Sequence, residues 1–342
     1  MRLPLLPLVL ALTLSACGGG GEVSFDSGGG SGGGDNTSEA AITGSNMETV
    51  AGMSVSLARA DLSSVSEAGD AVTGVRTQPA SRLSIAQAAA LAVRMFRSHA
   101  RAGLPADSVA GITVDRTENC DQSGSVRISI TSDDSNLLTL DPGDRLVLDF
   151  ASCRQDDQTV DGRLSLTVLS LSGRLDDVGN GSVSARFTDL SFSDGVDRLT
   201  ANGTMTIGID VADGRVAATG NSQDMRYELG VAGDDLVITV REGSISFTEN
   251  ALTGTTVTLS EDFVAVSVDF DGVARIGTEI PLAVDPAHQI LSGKLRVDGL
   301  DSVLFLTFLA AGEVLLELDD DDDGLIDITR LTTVGLLPFG LP

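Results

Sequence analysis

The chain has 342 residues, with 49 acidic against 22 basic side chains and a formal net charge of −27. Phosphate contacts need Lys and Arg, so this balance excludes nucleic acid as a partner and makes divalent cations the natural counter-charge. Lys294 is the only lysine, and His99 and His288 are the only histidines, neither with an acid and a nucleophile at a recognisable spacing. An enzyme is therefore not the favoured reading, although 49 acids leave room for an unrecognised acidic hydrolase site.

The chain opens with Arg2 and an apolar run, Leu3 to Leu14, followed by Leu14-Ser15-Ala16-Cys17. The run is shorter than the roughly 20 apolar residues a membrane span needs, and Pro4 and Pro7 suit a cleaved secretory segment better than a stable helix. The end of the segment resembles a lipobox, the signature of bacterial lipoproteins. That resemblance implies removal of residues 1–16 and acylation of the new N-terminal Cys17, and two acyl chains already suffice for stable anchoring. Gly18, rather than Asp, after the cysteine resembles the signal for outer-membrane export, with the membrane as partner through the lipid.

Residues 17–46 then read as the lipidated cysteine and a Gly-rich tether, a flexible coil whose reach grows as about 5–6 Å × √n. Gly29-Gly30-Ser31-Gly32-Gly33 matches a nucleophile-elbow pattern, but that motif has meaning only between a strand and a helix. Residues 47–108 read as helical. The clearest stretch is Ser84–Ala102, with a Ser84/Gln87 capping box, an apolar face of Ile85, Ala88, Ala89, Ala92 and Phe96, and an opposite face of Arg94, Arg97 and Arg101. The basic face suits docking on an acidic sheet, or a headgroup or partner surface.

From residue 109 to 342 the period changes to two, as in Val126–Ile130, Leu164–Val168 and Val264–Val268. Turn signals fall between such runs, among them Asp141-Pro142-Gly143, Gly179-Asn180-Gly181 and Ala212-Asp213-Gly214. A glycine followed by alternating apolar positions recurs at Gly162, Gly203 and Gly243, and again at Gly272 and Gly293, which fits one copy per hairpin. The expected fold is mainly β: a large antiparallel meander sheet, curved or barrel-like and soluble, with the N-terminal helical segment packed on it. No Trp and a single Tyr, Tyr227, argue against a membrane barrel with aromatic girdles. Helix-plus-meander order resembles periplasmic lipid-binding folds, so a carrier of an apolar ligand held between sheet and helix is an alternative reading.

Cys120 and Cys153 remain after Cys17 is lipidated, an even pair in an oxidising compartment, and read as a disulfide. Zinc is the rival, although two thiolates without a nearby His make a poor site. Asp319-Asp320-Asp321-Asp322-Asp323-Gly324-Leu325-Ile326-Asp327 matches the first nine positions of the EF-hand-type calcium loop. Asp319, Asp321, Asp323, Asp327 and the Leu325 carbonyl are the candidate ligands, and Ile326 holds the position that pins such loops to their surroundings. Arg330 stands at the twelfth position, where the EF-hand loop carries a bidentate Glu, and both flanks read as strands. The loop thus resembles the calcium loops on β-hairpins of integrin-type propeller blades. The competing reading is a solvated acidic turn that protects an edge from aggregation.

Overall fold

The computed structural model describes residues 38–59, 112–120, 122–132, 141–155, 158–173, 179–195, 198–212, 215–231, 234–250, 254–267, 270–285 and 289–338. Cys17 and the expected tether as far as residue 37, the Arg-bearing stretch Ser84–Ala102, His99 and His288 lie outside them, while residues 38–46 of that tether are described.

Among the described residues the strands are β1 (Ile112–Asn119), β2 (Ser123–Ser132), β3 (Arg145–Gln155), β4 (Gln158–Gly173), β5 (Gly179–Ser193), β6 (Arg198–Ala212) and β7 (Arg215–Val231). They continue as β8 (Asp234–Asn250), β9 (Gly254–Val266), β10 (Asp271–Val284), β11 (Ile290–Gly299), β12 (Ser302–Phe308), β13 (Glu313–Asp319) and β14 (Ile328–Thr333). All fourteen form one sheet in sequence order, each antiparallel to the next, so the topology is an uninterrupted meander. Strands β1 and β14 end the order without pairing to each other, so the sheet is open.

Period-two patterning selects which face is buried. On β2, Val126, Ile128 and Ile130 are buried while Arg127 and Thr131 are exposed. On β9, Val257, Leu259 and Phe263 lie in the buried row. The opposite face carries cross-strand ion pairs, Arg127–Asp115 at 3.3 Å, Arg163–Asp149, and Arg275–Asp262 at 2.6 Å. Exposed pairs of this kind contribute about 0–1 kcal/mol each. Their weight lies in keeping the outer face polar, the reverse of a barrel whose outer face meets lipid. No helix among the described residues is long and apolar enough to cross a membrane.

The recurring glycines have a structural cause. Gly162 on β4 and Gly203 on β6 take φ of +96° and +128°, and each faces a residue on the following strand with positive φ: Asp189 (+47°) and Asp224 (+50°). A Cβ at Gly162 would overlap the Asp189 carbonyl, and one at Gly203 would crowd the Asp224 backbone. At each place the register slips by a β-bulge. The residue before each glycine closes the bulge on the other side, for Asp161 Oδ1 accepts from Ser152 N–H at 2.6 Å and Asn202 Oδ1 from Asp189 N–H at 2.7 Å. Linked in this way, the bulges form a seam across β3 to β7. Bulges bend strands and increase twist, so the seam curves the sheet over its core. Gly243 continues the series on β8, where the pairing with β9 also slips. One copy per hairpin is what the sequence repeat records.

The helix at residues 47–59, the described part of the expected helical segment, is almost wholly buried. Met47, Val50, Ala51, Met53, Val55, Leu57 and Ala58 are buried, and so are the polar Thr49, Ser54 and Ser56. A helix buried all round is a core element rather than a cover. Ser54 can be accommodated because its hydroxyl donates to the Val50 carbonyl at 2.8 Å. The segment entering the helix is held by backbone bonds on two sides: Ala40 N–H to the Val273 carbonyl at 3.2 Å, and Leu300 N–H to the Ala40 carbonyl at 3.0 Å. Ile42 N–H donates to Ser302 Oγ at 2.8 Å. The helix therefore packs against the β10–β14 end of the sheet, near the acidic loop.

Candidate metal site

The β13–β14 hairpin carries the acidic loop at its tip, and both flanks are strands as the sequence suggests. Asp319 is the last residue of β13 and only 3% exposed. Its carboxylate accepts from Asp323 N–H at 3.2 Å through Oδ1 and from Gly324 N–H at 2.8 Å through Oδ2. The loop thereby coils around this one buried side chain. Gly324 makes the coil possible with φ +87°, and Asp322 also adopts positive φ, +53°. Asp327 closes the loop: its N–H donates to the Leu318 carbonyl at 2.9 Å, and its Oδ2 accepts from Asp320 N–H at 3.0 Å.

Within this coil, Asp319, Asp321 and Asp327 each bring one carboxylate oxygen within 4.8 Å of the others. Three such groups can hold one metal ion. Beside them the Asp320 carboxyl is pushed above its ordinary range, first by desolvation, then by the carboxylate of Asp327 and the hydrogen bond with it, and then by Asp321 and Asp319.

One predicted carboxylate, that of Asp323, is not among the three. The Asp323 carboxylate accepts from Leu325 N–H at 2.8 Å, a local turn bond that engages one of its oxygens. Ile326 does not pin the loop, for it is 42% exposed; Ile328, one step into β14, takes that role by packing against the core next to Gly44. Arg330, at the twelfth position, turns to the helix and pairs with Glu48 at 3.0 Å.

Cys120 and Cys153 are joined as a disulfide, with Cα atoms 5.4 Å apart. The bond ties the end of β1 to β3 across β2, beside the Ser152 bulge. Closing a loop of 33 residues contributes about 3–4 kcal/mol in the chain-entropy account.

Sequence reasoning did not find a pocket of about 450 Å³ where the helix meets the start of β11 and the β12–β13 turn, with Val55, Ile290, Leu291 and Val334 among its lining. Nor did it find Glu261, 1% exposed in the buried row of β9 beside Gly243. Period two alone could have placed Glu261 there, between Leu259 and Phe263.

These features define an open antiparallel meander with a buried helix against its β10–β14 end and an acidic hairpin tip able to hold a cation. No protein-family model, curated protein or solved structure matches the chain.

Proposed function

We propose that this protein is an outer-membrane lipoprotein, held on the bilayer by acyl chains on Cys17, whose β domain is stabilised by calcium at the 319–327 hairpin tip. Its role is structural or binding rather than catalytic. The convergence of Asp319, Asp321 and Asp327 on one point supports the calcium reading most directly. Calcium binds six to eight oxygens at about 2.3–2.6 Å, so two oxygens on one ion stand no more than roughly 5 Å apart, as the three carboxylates do. Magnesium needs near-ideal octahedral geometry at about 2.1 Å, which an exposed loop with several water positions serves less well. With Arg330 paired to Glu48 in place of a bidentate Glu, the affinity belongs in the weak extracellular range, Kd about 10⁻⁴–10⁻³ M. Titration calorimetry tests this: one calcium site in that range, weaker for magnesium and lost in Asp321→Ala. Absence of saturable calcium binding in the wild type refutes it.

A second reading, binding of an apolar ligand, is supported by the pocket beside the helix, whose volume of about 450 Å³ falls within the roughly 300–1,000 Å³ of ligand pockets.

A further inference from the structure

The open sheet ends in two different edges. On β1, Arg116 stands opposite Ile128 and Glu118 opposite Val126, so two charged residues occupy the row of the core-facing residues of β2. Inward-pointing charges of this kind keep an edge from pairing with another strand. On β14 the one charged residue, Arg330, stands in the core-facing row opposite Leu316, but Glu48 of the same chain answers it at 3.0 Å. The other face of β14 carries Thr329, Leu331 and Thr333, with Leu331 57% exposed. Among the described residues β14 pairs with β13 alone, so its outer backbone groups form a template for a further strand. We infer that a second copy of this chain supplies that strand: β14 pairs antiparallel with β14 of the copy about a two-fold axis at Leu331, and the two sheets run on as one.

Side-chain pattern and charge select both the occupant and the register. The core rows of the two copies fall on the same side only if odd-numbered residues meet odd-numbered ones, because a slip of one residue turns every side chain to the other face. Two such registers pair five residues of β14 each. Centred on Arg330, the pairing sets Arg330 against Arg330 of the copy, and like charges directly opposite are destabilising. Centred on Leu331, it sets Leu331 against Leu331, Thr329 against Thr333 and Arg330 against Thr332. Leu315 on β13 already stands opposite Leu331, so four leucines then line one row across the axis. Glu317 and Glu313 lie behind Thr329 and Thr333 and do not face each other. Antiparallel order also carries the two acidic tips to opposite ends of the joined edge, where a parallel pair would bring the Asp runs of a chain with net charge −27 side by side. The resulting interface is isologous and closes at two copies, whereas β14 on β1 of another copy would repeat without closing and would meet the charges of β1.

The test uses the full chain carrying Cys17→Ser, whose two other cysteines are joined to each other. Sedimentation equilibrium over a concentration series should show monomer and dimer and no larger species, a weak association because a six-residue edge makes a small interface. Leu331→Cys, added to this chain, should cross-link to itself under mild oxidation. Residues directly opposite in an antiparallel pair have Cα atoms about 4.5–5.5 Å apart, within the reach of a disulfide. Thr329→Cys should not, because its counterpart in the copy lies four residues, about 13 Å, further along the strand. Leu331→Lys, at an exposed position, should remove the dimer by setting like charges opposite each other. The sedimentation of the Cys17→Ser chain and the comparison of the two cysteine variants decide even if Leu331→Lys fails to fold. A Cys17→Ser chain that stays monomeric at every concentration overturns the proposal. So do species that grow beyond the dimer, a dimer in which Leu331→Cys and Thr329→Cys cross-link to the same extent, and a dimer that survives Leu331→Lys in a folded variant.

Discussion

Gly162→Ala probes the bulge seam with a magnitude that can be worked from its surroundings. Gly162 has φ +96°, and alanine in left-handed backbone costs about 1–2 kcal/mol. Its Cβ would overlap the Asp189 carbonyl and approach the Leu190 Cα, both backbone atoms that move only if β5 moves. Overpacking of that kind costs about 1–3 kcal/mol more. The total, about 2–5 kcal/mol, is a large share of a net stability of roughly 5–15 kcal/mol. Two other glycines separate the contributions. Gly195 has φ +93° and no atom within 4 Å of a Cβ, so Gly195→Ala should cost the backbone part alone. Gly277 has open space and no positive φ, so Gly277→Ala should be within about 0.5 kcal/mol of neutral, or stabilising through the unfolded chain. Urea unfolding followed by circular dichroism should rank the midpoints Gly277→Ala, Gly195→Ala, Gly162→Ala from highest to lowest, at constant m. If Gly162→Ala unfolds at the midpoint of Gly195→Ala, the close strand approach at the seam does not shape the fold and the reasoning fails.

Replacing Cys17 by Ser should release the protein from membranes and abolish incorporation of labelled fatty acid; unchanged retention in the membrane fraction would defeat the lipoprotein reading. Thiol alkylation of the exported protein should label neither Cys120 nor Cys153 before reduction, and Cys153→Ser should cost about 3–4 kcal/mol in urea unfolding at a loop of 33 residues. Because the folded-state pKa of Asp320 is raised, the stability that residue contributes is complete below the ordinary aspartate range and is lost as pH rises through the raised value. Without calcium, Asp320→Asn should therefore melt with the wild type in acid and above it at neutral pH; a wild type that melts higher at neutral pH reverses the sign and refutes the repulsion at the tip.

The β architecture was legible because a half-buried antiparallel strand writes its period directly into the residues, as at Val126, Ile128 and Ile130. The glycine repeat was legible because the sheet bends once per hairpin at Gly162 and Gly203. Turn chemistry misled at Gly179-Asn180-Gly181, which lies inside β5. There a Cβ on Gly181 would stand 3.1 Å from the Ser170 carbonyl oxygen, so the glycine serves a close strand approach rather than a turn. The helix at 47–59 buries the polar Thr49, Ser54 and Ser56 along with its apolar residues, and composition alone does not show that Ser54 can be buried because it bonds to its own backbone. At the metal site, spacing identified the loop but not which carboxylates converge. A hydrogen bond from Leu325 N–H engages Asp323, and an ion pair with Glu48 takes Arg330, and neither contact follows from the nine-residue pattern.

The calcium-stabilised hairpin tip is tested most directly by thermal unfolding of the wild type, Asp321→Ala and Asp320→Ala, each with and without calcium. At about 1 mM calcium and a Kd of about 10⁻⁴ M, linkage stabilises the fold by roughly 1.4 kcal/mol. For a domain of this size that raises Tm by about 2–4 °C. The wild type and Asp320→Ala should both show the rise, because the Asp320 carboxylate is not one of the converging groups, and Asp321→Ala should lose most of it. If all three respond alike, or none responds, the converging carboxylates form an acidic turn and not a calcium site.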